Sequence, residues 1–169
     1  MTFPEPEFER VFRLNYERLV ASMTAMTGDR EVARDCVQEA FIKASTRWRR
    51  VRRYDDPVAW IRRVAINRSR DVNRSDRRRR DREQRSNPQR IESSVDGVGP
   101  VEGSMRLVEL LRALPEQQRA AAVLFYVEDL PIAQIAVTLG ISGGTVKYHL
   151  SQARASLRFA LEREGRGNG

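Results

Sequence analysis

The sequence contains one cysteine, one histidine and few aromatic residues, 7% in all. A lone Cys36 permits neither an internal disulfide nor a cysteine-built metal site. It lies in an apolar-periodic stretch and reads as a buried structural thiol. The lone His149 has no partner at a spacing suited to metal binding or nucleophilic catalysis. There is also no glycine-rich phosphate loop and no clustered set of carboxylates, so the residues argue against an enzyme and imply no cofactor. No apolar run approaches the ~18 residues of a membrane span. The opening Met1-Thr2-Phe3-Pro4-Glu5 lacks the basic start and apolar run of a signal peptide. A cytoplasmic protein without membrane insertion is the expectation. Alternating strand patterns of useful length and internal repeats are missing as well.

What the sequence has is charge and helical periodicity. Of 169 residues, 32% are charged, and the net charge is +8. A chain this basic expects a polyanion, with nucleic acid first among the candidates. Three zones separate by composition. Residues 1–75 show helical spacing. From 76 to 103 large apolar residues become scarce, Arg77-Arg78-Arg79-Arg80 and Gly97-Val98-Gly99-Pro100 appear, and a flexible linker is expected. Helical spacing returns over 104–164, and 165–169 read as a disordered tail. The expected fold class is all-α, with two small helical domains joined by a tether.

In the first zone Phe8, Val11, Phe12, Tyr16, Leu19 and Val20 recur at helical spacing. A turn at Gly28-Asp29 follows, and Val32, Cys36, Val37, Ala40, Phe41 and Ala44 form the stripe of a second helix. Its other face carries Asp35, Gln38, Glu39 and Lys43. Asp55-Asp56-Pro57 is a start signal for the next helix. There Val58, Ile61, Ala65 and Val72 make a core stripe, and Trp60, Arg63, Asn67, Arg70 and Arg74 make a second one. An indole beside guanidiniums suits single-stranded nucleic acid, because bases stack on the ring while arginines hold phosphates. The same spacing fits an indole that caps the core beside solvated arginines, and periodicity leaves both open.

In the last zone Leu107, Leu110, Leu111 and Leu114 end at Pro115, and Pro115-Glu116 opens the next helix. A short helix over Pro131–Leu139 then meets Gly140, placed where a C-terminal cap needs positive φ. Ile141 is the turn residue and Ser142 the N-cap of the following helix. Val146, Leu150, Ala153, Leu157 and Leu161 supply its packing stripe. Short helix, glycine turn, capped helix is the helix-turn-helix pattern. Thr145, Lys147, Tyr148, Ser151 and Gln152 stand where such a helix meets base edges, and Arg154 and Arg158 lie further along, suited to phosphates.

Four segments together resemble bacterial RNA polymerase sigma factors of the extracytoplasmic-function (ECF) group. They are Asp35–Ala44, Pro57–Asn67, Leu114–Arg119 and Gly144–Arg154. The resemblance implies a sigma region 2-like domain over 1–75 and a region 4-like domain over 104–164. It implies that Asp35, Gln38, Glu39 and Phe41 meet the β′ clamp of core polymerase. Trp60, Arg63, Asn67, Arg70 and Arg74 would hold the minus-ten element as single-stranded DNA. Thr145, Lys147, Tyr148, Ser151, Gln152, Arg154 and Arg158 would read the minus-thirty-five element as duplex. The β flap and an anti-sigma factor join the implied partners. Family members commonly carry acids where Ala133 and Gln134 stand, and often arginine where Gln152 stands. The competing reading is a stand-alone helix-turn-helix regulator of duplex DNA, which needs neither the Asp35–Ala44 nor the Trp60–Asn67 segment.

Overall fold

A computed structural model of the chain describes residues 5–86 and 102–167, the latter from 106 onward where side chains are concerned. Helix α1 (Pro6–Thr27) starts with proline in its first turn, where a missing N–H costs nothing. It ends at Gly28, whose φ of 74° lets its N–H turn back to Thr24 O at 2.8 Å. Asp29 caps α2 (Arg30–Thr46), its carboxylate accepting from the N–H groups of Glu31 at 2.8 Å and Val32 at 3.2 Å. A single turn, α3 (Trp48–Val51), follows. It is too short for periodicity to reveal, although both of its end residues are buried. Leu19, Val20 and Met23 of α1 pack on Ala33, Val37, Ala40 and Ala44 of α2 and on Ile61, Ala65 and Ile66 of the long helix that follows, α4 (Pro57–Ser86). Three alanines on one face let α2 approach closely. Phe8 and Phe12 close the end of this core with their rings edge-on to Phe41, and Phe8 is also edge-on to Trp48.

Helix α4 (Pro57–Ser86) begins where Asp56 accepts from the Ala59 N–H at 3.0 Å. It does not stop near Ser75. Residues 76–86, expected at the head of a flexible linker, are helical. Their low hydrophobicity predicts absence of structure, but arginine is a good helix former. A helix already nucleated on a packed first half extends at little cost. Residues 87–101 of the expected linker lie outside the described residues.

Helix α5 (Glu102–Arg112) and α6 (Glu116–Ala122) precede a π-helical turn over Val123–Val127, in which the Glu128 N–H reaches Val123 O at 3.1 Å. Asp129, at φ 54°, breaks the chain away toward Pro131. Helix α7 (Ile132–Leu139) ends at Gly140, φ 68°, and α8 (Gly143–Gly167) begins with Ser142 Oγ accepting from the Thr145 N–H at 3.1 Å. Both helix-turn-helix caps sit where the sequence placed them. Val146, Leu150 and Ala153 of α8 are buried against Leu124, Ile135 and Leu139. Helix α8 runs through Gly167, so 165–167 of the expected disordered tail continue the helix. Residues 168 and 169 are not described. Eight α-helices and no strand occur among the described residues, as the all-α reading required.

The two helical units share one continuous core. Polar contacts fasten them. Arg119 of α6 donates to Met26 O at 2.9 Å and to Leu114 O at 3.1 Å, and burial pulls its guanidinium below its ordinary pKa. Arg70 of α4 donates to Leu139 O at 3.3 Å, at the carbonyl end of α7 where a cation is favoured. Glu128 forms the centre of the contact. It is 3% exposed, and it accepts from Arg62 at 3.1 Å, from Arg18 at 3.3 Å and from the Ser22 hydroxyl. Arg62 is itself only 5% exposed.

Candidate nucleic-acid interface

The face of α4 around Trp60 is built from two kinds of position. Ile61, Ala65 and Ile66 anchor the helix in the core, which fixes the azimuth of Trp60, Arg63, Asn67 and Arg74. Trp60 is half-buried. Arg63, Asn67 and Arg74 are exposed. The indole packs against the core and keeps part of its surface open, so half-burial leaves both readings standing.

Two clefts meet at Trp60. The first, about 490 Å³, is lined by Trp60, Asn67, Lys43, Arg47, Arg68 and Glu39, among others. Its cations come from α2, the turn after it and α4. Glu39 is held between Lys43 at 2.9 Å and Arg68 at 2.7 Å. The hydrogen bond from Lys43, then the nearby charges, keeps its carboxyl below the ordinary carboxylate value. The cleft thus offers an aromatic wall, a carboxamide and several cations, a set that fits a base with its phosphates. Helical spacing singles out Trp60 and Asn67 but misses Lys43, Arg47 and Arg68 as members. Spacing within one helix cannot bring α2 and α4 together.

The second cleft, about 480 Å³, lies between the units. Trp60, Arg63 and Asp56 line one side, and Ala133, Gln134 and Val137 of α7 line the other. Helix α7 therefore faces the Arg63 side of the indole. Arg70, expected among the DNA-holding residues, is occupied with Leu139 O and with Gln117 Oε1 at 3.4 Å. Arg74 is exposed beside Asp71 at 3.6 Å.

On α2, Asp35 and Gln38 are exposed and Glu39 is partly so. Phe41 differs from expectation. It is 3% exposed and belongs to the aromatic cluster, so it shapes the acidic face from beneath and cannot form part of its surface. Its ring follows the buried stripe of Val37, Ala40 and Ala44, not the Asp35–Gln38 side. Cys36 lies in the same core, and burial pushes its thiol up from 9.0 to about 11.

On α8, Lys147, Tyr148, Ser151 and Gln152 are exposed, with Tyr148 59% open, and Thr145 is half-buried beside its cap. Arg158 is exposed. Arg154 donates to the Tyr126 hydroxyl at 3.2 Å, and both arginines border an apolar groove with Leu107, Leu111, Tyr126 and Leu157. His149 is half-buried, next to Tyr148. Among the described residues no group of histidine, cysteine and carboxylates could hold a metal, and no helix is long and apolar enough to cross a membrane.

Residues 11–81 match the sigma-70 region 2 family and residues 104–157 match sigma-70 region 4. The chain is 31% identical over 157 residues to the RNA polymerase sigma-E factor of Streptomyces avermitilis, covering 92% of this chain and 86% of that one. It is 32% identical to the ECF RNA polymerase sigma factor SigM of Mycobacterium tuberculosis, covering 91% and 76%. It spans 40% of the length of another relative, the probable RNA polymerase sigma factor RfaY of Xanthomonas campestris, at 28% identity. Among solved structures, the sigma factor RpoE of Bartonella quintana, in complex with the anti-sigma factor NepR, superposes with a TM-score of 0.75 at 24% identity, covering 94% of this chain and 98% of that one. CnrH, in complex with the cytosolic domain of CnrY, gives 0.64 at 21%. With both sigma-70 regions present in order on one chain, and relatives of that name along nearly its whole length, this protein belongs to the RNA polymerase sigma factors, in the ECF group.

Proposed function

We propose that the chain is a dissociable promoter-specificity subunit. It binds core RNA polymerase, brings it to a two-part promoter and helps open the DNA, making no covalent change itself. The observation that carries this reading is one chain with two different nucleic-acid surfaces. One is an exposed recognition helix, α8, suited to duplex. The other is a half-exposed indole over a cationic cleft, suited to an unpaired base. A regulator that only bound duplex would use the first and not the second.

The roles that the resemblance implies are kept for residues with open surface. Asp35, Gln38 and Glu39 form the face for the β′ clamp. Trp60, Arg63, Asn67 and Arg74, joined by Lys43, Arg47 and Arg68, hold the minus-ten strand. Thr145, Lys147, Tyr148, Ser151 and Gln152 read the minus-thirty-five duplex, with Arg154 and Arg158 at its backbone or at the β flap. The site of action is the cytoplasm, where polymerase and promoter are. An anti-sigma factor is a natural further partner, since RpoE was solved with such a companion and CnrH with a partner's cytosolic domain.

The two surfaces serve elements about 25 base pairs apart by their positions, ~85 Å at 3.4 Å per pair. In the packed chain α7 touches the unit that carries Trp60. The packed form is therefore the free form, and binding to polymerase separates the two units by breaking the Arg62–Glu128 contact. Residues 1–86 and 102–167 would then act as separate domains on a tether. Run-off transcription with purified core polymerase on pooled genomic fragments tests the function. Transcripts with defined start sites sharing two upstream elements are expected, and none above core alone would overturn it.

A further inference from the structure

Beyond Arg74, which ends the Trp60 face, the second half of α4 belongs to neither that face nor the recognition helix. Burial along this helix ends at Ser69, and from Arg77 to Ser86 every residue is exposed. Residues 74–86 hold seven arginines against three acids, so they carry half of the protein's net +8. The charge is also sorted around the helix. Asp76 and Glu83 both lie within 3.8 Å of Arg79, which neutralises that side. Arg77 approaches Glu116 at 3.7 Å. Arg74, Arg78, Arg82 and Arg85 follow one another at intervals of four, four and three along the other side, broken only by Asp81. Among the described residues Arg78, Arg82 and Arg85 pair with no carboxylate. A solvated helix has no need of such sorting. Four of the seven arginines face the front with one acid, Asp81, and the other two acids lie at the back beside Arg79.

We propose that this stripe binds the phosphate backbone of duplex DNA. Its length favours a straight partner. The helix from Arg74 to Arg85 spans about 16 Å at 1.5 Å per residue, close to five base pairs of a duplex. Its composition disfavours an unpaired strand. Single-stranded sites need aromatic platforms, and no aromatic residue stands between Ile61 and Ser86. The stripe is thus unlike the Trp60 end of the same helix. If the chain acts as a sigma factor, the stripe lies along the spacer duplex next to the melted element, and the rigidity of α4 couples the two. That placement rests on the sigma reading, whereas the phosphate surface does not.

The test uses the full chain and a 40-base-pair DNA duplex of mixed sequence, titrated at several salt concentrations, with a 40-nucleotide single strand and a 40-base-pair RNA duplex as further probes. Arg78→Gln, Arg82→Gln and Arg85→Gln together should weaken duplex DNA binding about tenfold at low salt. The slope of log affinity against log salt should shrink by roughly 0.9 for each phosphate that is no longer neutralised. Glutamine keeps helix propensity, and unchanged far-ultraviolet circular dichroism checks that. The same three positions as lysine should keep the slope, because a phosphate accepts a point charge. Arg79→Gln should leave it unchanged. An unaltered slope in the triple glutamine variant overturns the proposal. So does an effect of Arg79→Gln as large as one third of the triple variant's, which would mean net charge alone, or a larger effect on the single strand or on RNA than on duplex DNA. None of these outcomes depends on promoter-directed transcription, which the run-off assay reads separately.

Discussion

The Trp60 face and the early turns of α8 are both assigned to DNA, but on different terms. Helix α8 presents Lys147, Tyr148, Ser151 and Gln152 to solvent. Trp60 has α7 across a cleft from it, and Arg70 on the same helix is tied to α7 by a hydrogen bond. On the proposed roles, the packed chain leaves the duplex-reading surface open and sets α7 across a cleft from the strand-holding one. At the centre of the contact between the two units, beside the apolar core they share, sits a polar, buried ion pair. A buried ion pair adds little net stability when intact but is costly to break by halves. If the units part on polymerase as proposed, this pair is the element whose loss would favour the open form.

The largest expected effect strikes that contact. Glu128→Ala removes the only carboxylate that the structure gives Arg62 among the described residues, and stranding a buried charge costs about 3–5 kcal/mol. The units should separate while their helices persist. Small-angle scattering should show the radius of gyration rising several ångström above the ~15 Å of a compact chain this long. A chain that stayed compact would mean the shared apolar core holds the units without the ion pair. Next comes Trp60→Ala. Loss of one base stack is worth about 1–3 kcal/mol, so permanganate reactivity of the minus-ten strand should fall tenfold or more, with binding to minus-thirty-five duplex unchanged. Equal reductions on both would make Trp60 a structural residue. Lys147→Ala should weaken minus-thirty-five recognition by about 1–3 kcal/mol if it reads a base. A reduced salt slope without altered sequence preference would move it to the backbone. Smallest is Cys36. With its thiol pushed from 9.0 to about 11 by burial, the folded chain should resist thiol reagents at pH 8. The folded state holds that proton more tightly than the unfolded state. Its contribution is therefore complete below pH 9 and is lost as pH rises toward 11.

Local features were legible in the sequence. Gly28, Gly140, Ser142 and Pro57 mark helix ends because capping chemistry is a matter of neighbours within four residues. The helix-turn-helix and the Trp60 stripe follow from the same short range. What stays hidden depends on distance along the chain. Glu128 stands in Val127-Glu128-Asp129-Leu130-Pro131, which reads as a solvated turn, and its partner Arg62 is 66 residues away. The π turn that aims it inward leaves no periodic trace. The family motif puts Phe41 at the surface, although its own stripe points to the core. The arginine run of α4 reads as unstructured when its polarity is weighed and its helix propensity is not.

The central claim is that the packed chain opens to set its two DNA-facing surfaces on separate elements. Fluorescent labels at Ser75→Cys on α4 and Ser156→Cys on α8, with buried Cys36 unlabelled, measure this directly by energy transfer. High transfer in the free chain and a marked drop on adding core polymerase are expected, with a further fall when the Arg62–Glu128 contact is removed from the free chain. Equal transfer in the free chain and in the polymerase complex would contradict the account.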